Sequence, residues 1–179
     1  LSRGGQPVRM SKRTGEMITL DEVIEEIGAD ATRYFLCHKS PDTHLQFDLD
    51  LAKQKSAENP VYYIQYAHAR ICSLQAKCDP VSNDSIQDDI ALDKEERALI
   101  FQCLHVYQEI AQSAQHMAPH KLCHYTHETA RAFHHFYEVA PILKADNAIQ
   151  KKRLIILNQL KEVLGVCAKI IGICLPTQM

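Results

Sequence analysis

Glycine and proline are scarce here, six and seven among 179 residues. That shortage excludes a fold stitched from many tight turns and favours long helices. No apolar run approaches the roughly 18 residues that a membrane-crossing helix needs, and the N-terminus lacks the charged-then-apolar order of an export signal. A soluble, unexported, cytoplasmic chain with no membrane partner is therefore expected. Seven cysteines are present, but none forms a Cys-x-x-Cys pair, the usual mark of a zinc or redox site. Most lie in apolar helical patterns, where a free thiol packs as a small hydrophobe, so reduced structural cysteines are expected. A net charge of −2 gives no bulk sign of nucleic-acid binding. What remains, 46% hydrophobic and 23% charged residues, describes a globular chain able to bury a core.

The charges are segregated. Arg3, Arg9, Lys12 and Arg13 make the N-terminal arm basic, and Lys144, Lys151, Lys152, Arg153, Lys161 and Lys169 enrich the last quarter. Asp79, Asp84, Asp88, Asp89, Asp93, Glu95 and Glu96 make an acidic middle. Such a chain can meet a polyanion on one face while its total stays near zero, although solvated helix faces give the same pattern.

Helix signals run along most of the chain. Thr19 or Asp21 can cap a short helix carrying Leu20, Val23, Ile24 and Ile27, with Gly28 as its stop. Ala29 to His38 reads as a second helix, burying Ala31, Tyr34, Phe35 and Leu36, broken by Ser40-Pro41. His44 to Asp48 reads as an extended link, with Asp48 or Asp50 opening the next helix. Asn59-Pro60 joins a capping side chain to proline at the first helical position, and losing that cap is expected to cost about 1 kcal/mol. Ile64, Ala67, His68, Ile71, Leu74 and Cys78 then keep helical spacing. Asp79 to Leu92 reads as a polar surface loop. Asp93-x-x-Glu96 resembles a capping box before a helix with Leu99, Ile100, Cys103, Leu104, Tyr107, Ile110, Ala111 and Ala114 on its apolar side, ending near Met117. Pro119 starts a helix placing Leu122, Thr126, Ala130, Phe133 and Tyr137 on one side, ended by Pro141. A last helix, about 148–172, turns Leu154, Leu157, Leu160, Leu164, Cys167 and Ile171 inward. Gly165 within it costs roughly 1 kcal/mol relative to alanine, which predicts close packing or a kink. The expected fold is an all-α bundle.

Three constellations carry chemistry. Arg9-Met10-Ser11-Lys12-Arg13, between Gly5 and Gly15, puts cations and a hydroxyl on a short segment suited to a polyphosphate; a solvated basic arm is the plain alternative. Tyr62, Tyr63, Tyr66 and Tyr137 either pack in the core or stack on unpaired bases, worth about 1–3 kcal/mol per base. The first three crowd one helix and cannot all face the same core, so at least one should reach the surface. His120, His124 and His127 fall within roughly 60° of arc on one helix, with His135 and Arg131 on the same side. Zinc would want further ligands in a recognisable order, so a polar or RNA-facing side is the expectation, and a metal-binding bundle is the alternative.

Arg9-Met10-Ser11-Lys12-Arg13 resembles the Lys-Met-Ser-Lys-Ser signature loop of class I aminoacyl-tRNA synthetases. Gly28-Ala29-Asp30-Ala31-Thr32-Arg33 resembles the Gly-Ala-Asp-Ala-Leu-Arg stretch downstream of that loop, with Thr32 replacing leucine. Phe47-Asp48-Leu49-Asp50-Leu51-Ala52, Asn59-Pro60-Val61-Tyr62-Tyr63-Ile64-Gln65-Tyr66-Ala67-His68-Ala69-Arg70-Ile71 and Ala130-Arg131-Ala132-Phe133-His134-His135-Phe136-Tyr137 resemble the arginyl-tRNA synthetase family more narrowly. The similarity covers essentially the whole chain.

The resemblance implies a C-terminal fragment. Residues 1–50 would be the signature loop and a helical connector, and 51–179 an all-α anticodon-binding domain. It implies that Lys12 meets charge on the pyrophosphate during adenylate formation, with Arg9, Met10, Ser11 and Arg13 completing the loop. Tyr63, Tyr137 and Met179 would lie near the anticodon. Arginine tRNA is the implied partner, and ATP with magnesium would serve the full-length enzyme. The fragment is expected to be monomeric, without a cofactor of its own, and inactive alone for want of the Rossmann sheet and the His-x-Gly-His-type motif. A freestanding helical RNA- or protein-binding module is the other reading.

Overall fold

The computed structural model describes residues 1–3, 5–8, 18–80 and 91–179. The Arg9–Arg13 run, Lys12 included, and most of the acidic loop lie outside the described residues. Two two-residue strands open the chain, β1 (Ser2–Arg3) antiparallel to β2 (Gln6–Pro7). Seven helices follow among the described residues: α1 (Leu20–Ile27), α2 (Ala29–Cys37), α3 (Leu49–Lys53), α4 (Pro60–Gln75), α5 (Lys94–Gln115), α6 (Pro119–Val139) and α7 (Asn147–Ile171). The all-α bundle is thus observed, with one small strand pair added. Ser2 N–H donates to the Phe47 carbonyl at 2.8 Å, tying that pair to the link before α3.

Local chemistry sets the boundaries. Thr19 caps α1 by a reciprocal pair: its hydroxyl accepts from Glu22 N–H at 3.2 Å, and its own N–H donates to the Glu22 carboxylate at 2.7 Å. Gly28 joins α1 to α2 at φ +84°, a conformation that costs a side chain dearly. Asp48, rather than Asp50, caps α3. Asn59 is 5% exposed and works in both directions. Its oxygen accepts from Val61 N–H at 3.1 Å, while its NH₂ donates to the Ala52 and Gln54 carbonyls, each at 2.9 Å. This one side chain therefore fixes α3 and the start of α4 together.

Helices α4 to α7 form the bundle, α6 and α7 packing on one another and on both α4 and α5, while α2 leans on α4, α6 and α7. Ile64, Leu99, Ala130, Phe133, Leu157, Leu160, Leu164 and Cys167 are fully buried at its centre. Thr126 and Thr129 share that interior because their hydroxyls donate back to the Leu122 and Tyr125 carbonyls at 2.7 and 2.8 Å. Tyr34 O–H reaches the Cys123 carbonyl at 3.2 Å, binding α2 to α6.

Among the described residues charge is buried at one place, which sequence spacing alone does not reveal. Glu96, the third residue of the α5 capping box, has no exposed surface. Lys152 approaches it at 2.5 Å and Arg153 at 2.9 Å, and Arg153 also meets Asp93 at 3.0 Å. Burial opposes ionisation of Asp93, but Glu96 N–H and the Arg153 guanidinium outweigh it and hold the carboxyl below its ordinary value. The α5 N-terminus is thereby locked to α7.

Some expectations need correction. Leu36 is 48% exposed because the α2 face that packs inward is filled by Ala31, Tyr34 and Phe35. Leu104 and Tyr107 are 72% and 82% exposed, and Ala111 and Ala114 are exposed too: among the described elements α5 packs chiefly on α6 and α7, so part of its apolar stripe borders an open groove of about 670 Å³ between α5 and α7. Gly165 is neither a break nor a close approach. Helix α7 runs through it, and a Cβ there would meet nothing within 4 Å. The close approach is at Gly172, φ +83°, where an added Cβ would lie 2.7 Å from Arg33 Nη1.

Candidate nucleic-acid interface

Helices α4 and α6 pack side by side and collect rings along their seam. Tyr62, Tyr63 and Tyr66 are all half-buried, so each keeps part of its surface available. Their spacing does not allow three aromatics on one core face, and the α4 core positions go to Val61, Ile64, Ala67 and Ile71. From α6, the His134 ring lies 4.3 Å from the Tyr63 ring and stacks on Tyr66 at 5.7 Å. Its Nε2–H donates to the Tyr63 carbonyl at 3.2 Å. Tyr62 stacks on Tyr66 at 6.1 Å, and His127 lies 5.3 Å from Tyr63.

Arg70, one turn beyond Tyr66, closes the seam. It donates to the Tyr66 hydroxyl at 3.1 Å and to the Tyr137 hydroxyl at 2.7 Å, with its guanidinium 4.5 Å from the Tyr137 ring centre. A guanidinium has five N–H donors, so two tyrosine contacts leave it able to serve an anion. Tyr63 and Tyr137 therefore belong to one continuous strip, Tyr63–His134–Tyr66–Arg70–Tyr137. Burial holds His134 and His127 below the ordinary histidine value and pushes the Tyr63 phenol up. The strip offers rings with Arg70 as the cation bonded to it, and Arg131, Glu128 and Glu138 near its Tyr63 end. That combination suits stacked bases and phosphate.

Met179 is elsewhere. Beyond α7 the tail crosses the start of α2 and the outer side of α4, held by Asp30, Gln65 and His68. The exposed Met179 side chain borders a depression of about 660 Å³ with Gly28, Asp30, Lys55 and Tyr62. Tyr62 is shared, forming a wall of the depression and stacking on Tyr66 of the strip. The structure thus unites Tyr63 with Tyr137 and gives Met179 a neighbouring site of its own.

Arg70 and His134 were not singled out from the sequence. The four-residue step from Tyr66 to Arg70 was a usable signal, since such pairs meet on a helix. The pairing of His134 with Tyr63 was not, because it depends on how α4 and α6 pack. The basic last quarter also divides: Lys152 is 8% exposed and, with Arg153, is committed to Glu96 and Asp93, whereas Lys144 and Lys169 stay at the surface. Among the described residues no three His, Cys, Asp or Glu side chains gather as a metal site, and His127 turns into the ring strip. Burial pushes the Cys103 and Cys167 thiols up to about 11 and that of Cys123 to about 12, so these are packing groups and poor nucleophiles. Cys174, by contrast, is exposed.

Residues 64–179 match the family described as the DALR anticodon binding domain. The arginine–tRNA ligase of Desulforudis audaxviator is 45% identical over 185 aligned residues, covering 100% of this chain and 33% of the relative. That of Carboxydothermus hydrogenoformans is 46% identical, with 100% and 33% covered. The chain spans about a third of the length of the curated relatives it matches. Among solved structures, a Campylobacter jejuni protein assigned as an arginyl-tRNA synthetase superposes with a TM-score of 0.87 at 30% identity, covering 99% of this chain and 38% of that one. Thermus thermophilus arginyl-tRNA synthetase gives 0.76 at 23% identity, with 94% and 29% covered, a likeness of fold. No helix among the described residues is long and apolar enough to cross a membrane.

Proposed function

Because the chain belongs to the DALR anticodon binding domain family, we propose that it is the anticodon-reading part of an arginine–tRNA ligase, whose whole protein attaches arginine to its tRNA at the expense of ATP. The observation that carries this reading is the strip on α4 and α6, three half-buried tyrosines and a histidine ending at Arg70. Tyr63 and Tyr137 take unpaired anticodon bases by stacking, and Arg70 takes a phosphate between them. Met179 meets the same loop from the tail side. Surface lysines such as Lys144 and Lys169 add contacts indifferent to sequence.

The same reading divides the chain at residue 50, within α3: 1–50 is the signature loop and connector, 51–179 the anticodon-binding bundle. Lys12, with Arg9, Met10, Ser11 and Arg13, meets charge on the pyrophosphate of ATP, with magnesium, in the whole enzyme. Stabilising developing charge is the dominant contribution in such transfers. The fragment acts as a cytoplasmic monomer with no activity of its own. An anticodon transplant tests the reading. Moving the arginine anticodon loop into another tRNA should carry tight binding with it; binding that follows the rest of the tRNA instead would contradict the assignment.

A further inference from the structure

The tail after α7 has no regular structure of its own, yet it is pinned by side chains far away in sequence. Asp30, in the first turn of α2, accepts from Cys174 N–H at 3.1 Å and from the Gln65 amide at 3.1 Å. Gln65 in turn donates to the Cys174 carbonyl at 3.0 Å. His68, near one turn further along α4, donates from Nδ1 to the Pro176 carbonyl at 2.9 Å. Arg33 lies against Gly172, where the chain leaves α7. The tail backbone is thus read by three side chains on two helices, and the Asp30 carboxylate makes charge-assisted hydrogen bonds there.

We propose that Asp30 is a positioning residue for RNA recognition: by gripping Cys174 and Gln65 it holds the tail so that Met179 forms the wall of the 660 Å³ depression beside Tyr62. The inference rests on the anticodon-reading assignment above and adds a residue that acts through the tail it holds. Without the carboxylate, the Cys174 amide loses its acceptor and Gln65 loses one of its two. Residues 174–179 then keep the His68 bond at Pro176 but lose the grip at Cys174, so they sample more positions that each encounter with RNA must narrow again. The ring strip keeps its contacts, none of which involves Asp30.

The test uses the intact protein carrying this chain, with cognate arginine tRNA and a non-cognate tRNA as probes. Asp30→Ala should weaken cognate binding about tenfold, as loss of a charge-assisted bond predicts, with much less effect on the non-cognate tRNA. Removing residues 177–179 should do the same. Combining the two should be no worse than either alone, because both act through one tail. Hydrogen exchange at the Cys174 amide should quicken at least about tenfold in Asp30→Ala. Asp30→Asn keeps an acceptor and the side-chain shape, so it should fall between parent and alanine in both readouts; it also serves if the alanine variant does not fold. Full additivity, unchanged Cys174 exchange, or unchanged discrimination in a variant whose tail truncation does lose it would each overturn this inference alone. A parent that does not distinguish the tRNAs would overturn the anticodon reading and this inference with it.

Discussion

Tyr137 holds two roles that substitution can separate. Its ring lies 4.5 Å beneath the Arg70 guanidinium and its hydroxyl accepts from the same group at 2.7 Å. Phe133, one turn earlier, is fully buried, whereas Tyr137 is half-buried. Tyr137→Phe should cost about 1 kcal/mol of stability for the lost bond to a charged donor, read by denaturant unfolding, and should keep most cognate tRNA affinity because the ring remains. Tyr137→Ala should cost about 1–3 kcal/mol of cognate binding with little change in salt dependence. A Tyr137→Ala variant that folds and binds as the parent does would return the residue to packing alone. The sequence showed that the tyrosines were too many for one core face. It did not show their partners, because His134 and Arg70 reach them only through the packing of α4 on α6.

At the scale of the elements, ends were more legible than faces. Capping is local, so Asn59-Pro60 and Asp93-x-x-Glu96 marked the starts of α4 and α5 directly, and for α1 the sequence offered Thr19 or Asp21, of which Thr19 is the cap. Which apolar residues end up inside depends on how many neighbours a helix acquires, and among the described elements α5 acquires chiefly α6 and α7. That is why Leu104 and Tyr107, correctly periodic, stay exposed. Asn59 shows the same limit in energetic form. A cap alone predicts about 1 kcal/mol for Asn59→Ala, but the side chain also satisfies the Ala52 and Gln54 carbonyls. A loss of about 2–3 kcal/mol is therefore expected from denaturant unfolding. Gly165 reverses an expectation: with open space at its Cβ position in a continuous helix, Gly165→Ala should stabilise the protein by about 0.5–1 kcal/mol. A lowered unfolding midpoint would mean that the glycine has a packing partner after all.

For the whole molecule, three half-buried histidines set a pH dependence. Burial holds His38, His127 and His134 below the ordinary value of 6.5, against raising contributions from the Phe35 carbonyl, from Glu128, and from the Tyr63 carbonyl and Glu138. The unfolded chain therefore takes up protons first as pH falls. Their stabilisation is intact above about 6.5 and is lost as pH drops through the lower folded values. Asp93, also held low, acts in the same direction nearer its ordinary value of 3.8. The melting temperature should be nearly level between about pH 8 and 7 and decline from about pH 6.5 to 5; a rise over that interval would show the rings to be charged in the fold.

The central claim is that this bundle reads an anticodon, and binding of arginine tRNA and a second tRNA across a salt series tests it most directly. Under the proposed reading, bases stacked on the α4–α6 strip would contribute sequence-dependent affinity, and phosphates met by Arg70 and the surface lysines would contribute a salt-dependent part common to any tRNA. The account predicts a similar salt slope for both tRNAs and a preference for arginine tRNA that survives as salt rises. Equal affinity for the two at every salt concentration would reduce the surface to a general polyanion site and contradict the account.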